Sequence, residues 1–201
     1  MKVKVAAVAV VLLCVLVTMS CDNSQGLLNR ADEELVVSTS FSSEQLSDIR
    51  YGIGEILNPQ TVTMTRSEVC QAEDSLKLFL APLLAEGRRI RGQLEIKDDD
   101  RNAAQAIGSM TDEQLVAFAF CLNVMAVQEQ GETRANGNDY LFCLGDAIFG
   151  YGCGASMVSA GIKGVSKSVA KKVALKCAGK VLGGYVSIAW GVWDYYRCIE
   201  D

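Results

Sequence analysis

Thirteen consecutive residues, Leu115 to Val127, carry no charge and place apolar side chains on nearly every side of a helix. Leu115, Val116, Phe118, Phe120, Cys121, Leu122, Val124, Met125 and Val127 leave no polar stripe to face water. An ordinary surface helix buries one stripe, whereas a helix apolar all round has to be enclosed by other elements. Thr111, with Gln114 three residues on, gives this helix a clean start. The chain must therefore supply partners that surround it, and 201 residues are enough for one domain with a short appendage.

The surrounding sequence offers helices. Half of the residues are apolar and 21% are charged, a globular composition, and only two are Pro. Ser42 and Gln45 form a capping box, with Phe41 and Leu46 as a staple across it. Leu46, Ile49, Ile53, Ile56 and Leu57 then share one face up to Asn58-Pro59. Thr65 and Glu68 make a second box, and Val69, Ala72, Leu76, Phe79, Leu80 and Leu83 follow at helical spacing. Pro82 kinks that helix or starts a new one. Gly87 to Asp100 is polar, and Asp100 is placed to cap a short helix through Ala106. Asn136-Gly137 marks a turn in the loop from Gly131 to Asn138.

At Asp139 the composition changes. Residues 22–138 carry 10 basic and 19 acidic side chains, while residues 139–201 carry 7 and 5 and hold ten of the 18 Gly. Ala147–Ile162 and Val181–Trp193 are uncharged, and both fall short of the roughly 20 residues that a membrane span needs. Gly150, Gly152, Gly154, Gly161 and Gly164 remove side chains where two helices pack tightly through small residues, or where a hairpin enters a bilayer; the lengths favour the first. The predicted fold is mainly α: a helical domain over 41–138, then a Gly- and Cys-rich, disulfide-stabilised helical hairpin over 139–201.

The N-terminus carries a different kind of information. A basic start, Met1-Lys2-Val3-Lys4, is followed by 13 uncharged residues, Val5–Val17, and then by Thr18-Met19-Ser20-Cys21. Residues 1–20 have the build of a signal peptide. With Cys21 they resemble a bacterial lipoprotein signal, in which the Cys becomes the lipidated first residue of the mature chain. The resemblance ends at residue 21. It implies lipidation at Cys21 and an exported protein held at a membrane of the bacterial cell envelope. Each buried CH₂ of the acyl chains would add about 0.8 kcal/mol to the anchoring. Residues 21–40 then read as a polar tether.

If Cys14 leaves with the signal and Cys21 is lipidated, six Cys remain: Cys70, Cys121, Cys143, Cys153, Cys177 and Cys198. In an oxidising compartment these are disulfide candidates. No two lie closer than ten residues, which argues against a thiolate metal site. A nested scheme, Cys143–Cys198 outside Cys153–Cys177, suits an antiparallel helical pair and leaves Cys70–Cys121. Cys143 to Cys153 spans about 15 Å of helix but Cys177 to Cys198 about 31 Å, so this scheme needs a break, for which Gly183-Gly184 is the natural place.

The chain has no His, which removes Ser-His-Asp and Cys-His nucleophiles, a His general base and His-bearing zinc sites. Ser168-Val169-Ala170-Lys171 matches S-x-x-K, the nucleophile motif of penicillin-recognising enzymes, but stands without S-D-N or K-T-G. Asp98, Asp99 and Asp100 lack the spaced donors of a calcium loop. Arg88, Arg89 and Arg91 lie in an acidic domain, so nucleic acid is not an expected partner. Lys172, Lys176 and Lys180 form a basic stripe, and Trp190 and Trp193 stand near the end of the chain; these five are the candidates for contact with a membrane, although a solvated face and core packing account for them as well.

These readings converge on a lipid-anchored envelope protein with a structural or interaction role. It would be non-catalytic, need no metal or cofactor, and have the membrane and an envelope protein as candidate partners. The alternative is a membrane-active protein whose 139–201 segment is the effector, similar in general character to small cationic, Cys- and Gly-rich bacteriocin-like peptides. An enzyme working with Asp and Glu alone would need two carboxylates facing each other across a pocket.

Overall fold

Nine helices, and no strand, make up the described residues of the computed structural model: α1 (Ser43–Leu57), α2 (Arg66–Phe79), α3 (Ala81–Gln93), α4 (Arg101–Gly108), α5 (Asp112–Glu129), α6 (Asp139–Phe149), α7 (Cys153–Ser159), α8 (Lys167–Lys180) and α9 (Tyr185–Glu200). The described residues are 37–58, 65–94, 101–129, 139–159, 165–181 and 183–200. The predicted signal, Cys21, Asp98–Asp100, the Asn136-Gly137 turn, Gly161 and Gly164 lie outside them.

Helix α5 is the axis of the fold. Every residue from Leu115 to Val127 is buried, and α1, α3, α6, α8 and α9 all pack against α5. Phe118 and Phe120 have no exposed surface, and burying each contributes roughly 1.5–3 kcal/mol. Phe120 meets Tyr195 of α9 edge to face at 5.7 Å, which sets that helix against the axis.

Asn123 is the one polar residue in this run and is wholly buried. Its Nδ2 donates to Ala119 O at 2.8 Å, and its Oδ1 accepts from Phe41 N at 2.9 Å. The side-chain amide is thereby satisfied at both ends, and the chain is fixed just before α1 begins. There Ser42 Oγ accepts from Gln45 N at 3.3 Å, and Gln45 Oε1 from Ser42 N at 2.9 Å, the predicted capping box. Thr65 with Glu68 and Thr111 with Gln114 make the same reciprocal pairs at α2 and α5.

Pro82 starts a new helix. It occupies the first turn of α3, where a missing N–H costs nothing. Helix α3 then continues to Gln93, into the polar stretch that begins at Gly87. Gly87 lies against α5: a Cβ there would sit 2.3 Å from Leu115 O. The polar side chains of α3 turn outward or pair.

The composition change at Asp139 is not a break in packing. Glu33–Asp201 form one compact unit, and α6, α8 and α9 share the α5 core with α1 and α3. The tether expected over 21–40 also stops short. Val37 is buried and donates to Val165 O at 2.7 Å, and Ser40 is held by Glu86.

Candidate functional site

Three groups of chemistry-bearing side chains were expected from the sequence: the six Cys, the Lys stripe and the C-terminal aromatics. Most of them gather where α6, α8 and α9 meet the core.

Helices α6 and α7 cross at glycine. Gly150 (φ +94°) and Gly152 (φ +87°) turn the chain back. A Cβ on Gly154 would stand 2.2 Å from Phe142 O, and one on Gly145 would stand 2.5 Å from the Gly154 Cα. Asp146 closes the crossing by accepting from Gly154 N at 2.6 Å. Of the five Gly named from the sequence, Gly154 serves close helix packing, with Gly145 as the partner that sequence reasoning missed.

Cys143 of α6 and Cys198 of α9 form a disulfide, with Cα atoms 5.7 Å apart. The Cys153–Cys177 bond of the nested scheme is not formed, nor is Cys70–Cys121; these four are thiols. Cys153 Sγ donates to Phe149 O at 3.5 Å. Cys177 shares the buried face of α8 with Val169, Ala170, Val173 and Ala174, and α8 packs on α5, which carries the buried Cys121. Burial pushes the Cys177 thiol well above its ordinary pKa, and the neighbouring Cys121 adds to the rise. Cys70 is exposed on α2.

The chain does break at Gly183-Gly184, as the length argument required. Gly183 has φ +131°, and α9 begins at Tyr185. This helix has no cap of its own. Glu73 of α2 supplies one, its carboxylate accepting from Tyr185 N at 2.5 Å and Val186 N at 2.9 Å. A Cβ on Gly184 would collide with that carboxylate.

At the other end of α9, Glu200 pairs with Arg50 of α1 through both carboxylate oxygens, Arg50 Nη2 to Oε2 at 2.6 Å. The guanidinium carbon lies 5.1 Å from the Tyr196 ring centre, 5.7 Å from Trp193 and 5.9 Å from Tyr51. Glu200 raises the Arg50 pKa, and Arg50 holds the Glu200 carboxyl below its usual range. Burial raises the Tyr196 hydroxyl far above the ordinary phenol value, against the opposing pull of Arg50. An aromatic cage of this kind attracts cations, and here it is filled by the chain's own arginine. Chemically it fastens α9 to α1.

Of the membrane-contact candidates, Trp193 is thus engaged inside the fold, its ring also lying against Gly54. Trp190, Lys172, Lys176 and Lys180 are half-buried. Lys176 Nζ donates to Ser156 Oγ at 3.1 Å. Lys180 lines a cleft of about 230 Å³ with Ile148, Phe149, Val181 and Ile188. Ser168 of the S-x-x-K match shares a hydrogen bond with Ser166 at 3.0 Å, and Ser166 caps α8.

A second cleft, of about 350 Å³ between α1 and α2, holds one carboxylate, Glu68, which is committed to its capping box. Among the described residues no cluster of three or more His, Cys, Asp or Glu has the geometry to hold a metal ion. No single helix among them is long and apolar enough to cross a membrane. Sequence reasoning missed Arg50, Glu73, Glu86, Asn123 and Glu200. Only Asn123 carried a signal, as a lone amide in an apolar run. No protein-family model matches the chain, and neither a curated protein nor a solved structure is significantly similar to it.

Proposed function

We propose that the chain is an exported protein of the bacterial cell envelope, anchored through lipid on Cys21, that works by structure and interaction. The observation that carries this reading is the Cys143–Cys198 disulfide. Disulfides persist in oxidising compartments and are rare in a reducing cytosol, which agrees with the lipoprotein-like start of the sequence. The interaction surface would draw on the exposed apolar side chains, of which Leu78 and Tyr151 are 79% and 98% accessible.

The alternative, a membrane-active 139–201 segment, has a physical obstacle. Ala170, Val173, Ile188, Ala189, Val192 and Tyr195 are all buried, so the apolar surface that a bilayer would receive is committed to the core. Labelling cells with a fatty-acid probe tests the anchor. The protein should take the label and Cys21→Ala should lose it; an unlabelled protein, or an unchanged variant, would sink the reading.

A further inference from the structure

Cys121 and Cys177 have no exposed surface; they lie on the buried faces of α5 and α8, which pack against each other, and Cys121 is near enough to perturb the Cys177 thiol. The crossing is pinned just past Cys177, two turns ahead of Cys121 on α5. Gln114 of α5 reaches over to α8, its Nε2 donating to Ala178 O at 3.1 Å and Val181 O at 3.3 Å. The last turn of α8, which carries Cys177, is therefore held on α5 by a side chain of the helix that carries Cys121.

Cys153 donates to the carbonyl of Phe149, four residues back on its own segment, and Cys70 is exposed on α2.

We propose that Cys121 and Cys177 are the second structural disulfide of the exported protein, joining the central helix α5 to α8. The proposal rests on the export reading above, which supplies the oxidising compartment. The co-reactant is a disulfide donor, either a thiol–disulfide oxidoreductase or oxidised glutathione. One cysteine, as thiolate, attacks a donor sulfur; a mixed disulfide forms and one donor sulfur leaves as thiolate. The second cysteine, deprotonated in turn, attacks the protein sulfur of the mixed disulfide. The Cys121–Cys177 bond forms and the second donor sulfur leaves. The two cysteines lose two electrons to the donor, and their two protons end on its two sulfurs. This exchange belongs to folding, before the core closes. Afterwards no donor reaches either sulfur, and burial keeps Cys177 protonated.

The test is disulfide mapping on the whole chain, in two samples: protein isolated from envelopes, and protein refolded from the reduced, denatured state in a glutathione redox buffer. Each is denatured in alkylating reagent without reductant, digested and read by mass spectrometry. Both samples should contain a linked Cys121–Cys177 peptide pair beside Cys143–Cys198, with Cys70 and Cys153 alkylated. Refolded protein with Cys143–Cys198 linked and Cys121 and Cys177 both alkylated overturns the pairing and leaves the export reading standing. So does a link from Cys121 or Cys177 to any other cysteine. Both pairs linked on refolding but reduced in the cell-derived protein overturns the export reading, and with it the disulfide's presence in the cell.

Discussion

The helices before and after Asp139 are held in different ways. Ahead of it, α1, α2 and α5 each begin with a capping box written within four residues of sequence. Beyond it, α6 and α7 are set by a glycine crossing, α6 and α9 by a disulfide, and the start of α9 by a carboxylate from α2. The first group carries its instructions locally. The second takes its geometry from residues far away in the chain, so it should tolerate the loss of a single cap and be intolerant of any added atom at a close approach.

The largest effect expected from that contrast is at Gly154. Gly154→Leu puts a Cβ 2.2 Å from Phe142 O. A backbone carbonyl inside a helix cannot swing aside, so α6 and α7 must separate and uncover Leu141, Cys143 and Met157. A loss above about 4 kcal/mol is expected, read as a collapse of the urea midpoint or failure to accumulate folded protein. A midpoint within measurement error of the wild type would show that the crossing is not a determinant of the fold.

Next is the disulfide. Cys143 and Cys198 are 55 residues apart, and closing a loop of that length removes about 4 kcal/mol of denatured-state entropy in the chain-entropy model. Cys143→Ser with Cys198→Ser should lower the unfolding free energy by roughly 3–4 kcal/mol, and reductant should lower the wild type toward the variant. If the variant matches the oxidised wild type, core packing alone fixes α9 and the contrast between the halves weakens.

The same contrast explains what could be read in advance. The three capping boxes are patterns of two residues three apart, and the enclosure of α5 follows from a run with no polar face; both were legible because the physics is local or cumulative. The disulfide partner of Cys143 was one among many allowed pairings, and the nested scheme that paired it with Cys198 needed a break at Gly183-Gly184 to be possible at all. Cys153–Cys177 was a reasonable member of the same scheme and fails because the buried face of α8, with Cys177 on it, is turned to α5. Glu73, Glu86, Arg50 and Glu200 could not be singled out from sequence. Each is an ordinary surface-type charge whose partner lies elsewhere in the chain or, for Glu86 and Arg89, becomes distinctive only once the site is buried.

Glu86 gives a third effect, this time ahead of Asp139. It is buried and accepts from Arg89 Nε at 2.8 Å and Nη2 at 2.7 Å, from Ser40 N at 3.0 Å and from Ser40 Oγ at 3.0 Å. Burial alone would raise its pKa, but the Arg89 and Ser40 hydrogen bonds outweigh it and hold the carboxyl below its usual value. A carboxyl depressed on folding adds stability that is fully present above the unfolded-state pKa, about 4.3. That stability is lost as the pH falls through the folded-state value. Glu86→Gln should cost about 2 kcal/mol near pH 7, and the gap to wild type should shrink below about pH 4. Urea midpoints across that range would show it; a constant gap would mean that shape rather than charge fixes the Val37–Ser40 segment.

The smallest effect separates this buried cluster from its exposed neighbour. Arg88, two residues along α3, pairs with Asp112 at 2.8 Å, but the two side chains are 54% and 42% exposed. Water screens both charges and competes for the hydrogen bond, so the pair is worth below about 0.5 kcal/mol. Arg88→Ala should leave the urea midpoint almost unmoved. Arg89→Ala, which leaves the buried Glu86 carboxylate without its cation, should lower it clearly. The two substitutions delete the same side chain at adjacent positions of one helix, so the difference between them reports the buried Glu86 acceptor together with the hydrogen bond that Arg89 Nη2 donates to Ser38 O at 2.6 Å. If Arg88→Ala costs as much as Arg89→Ala, then the exposed pair between α3 and α5 matters as much as the buried carboxylate that fixes the Val37–Ser40 segment.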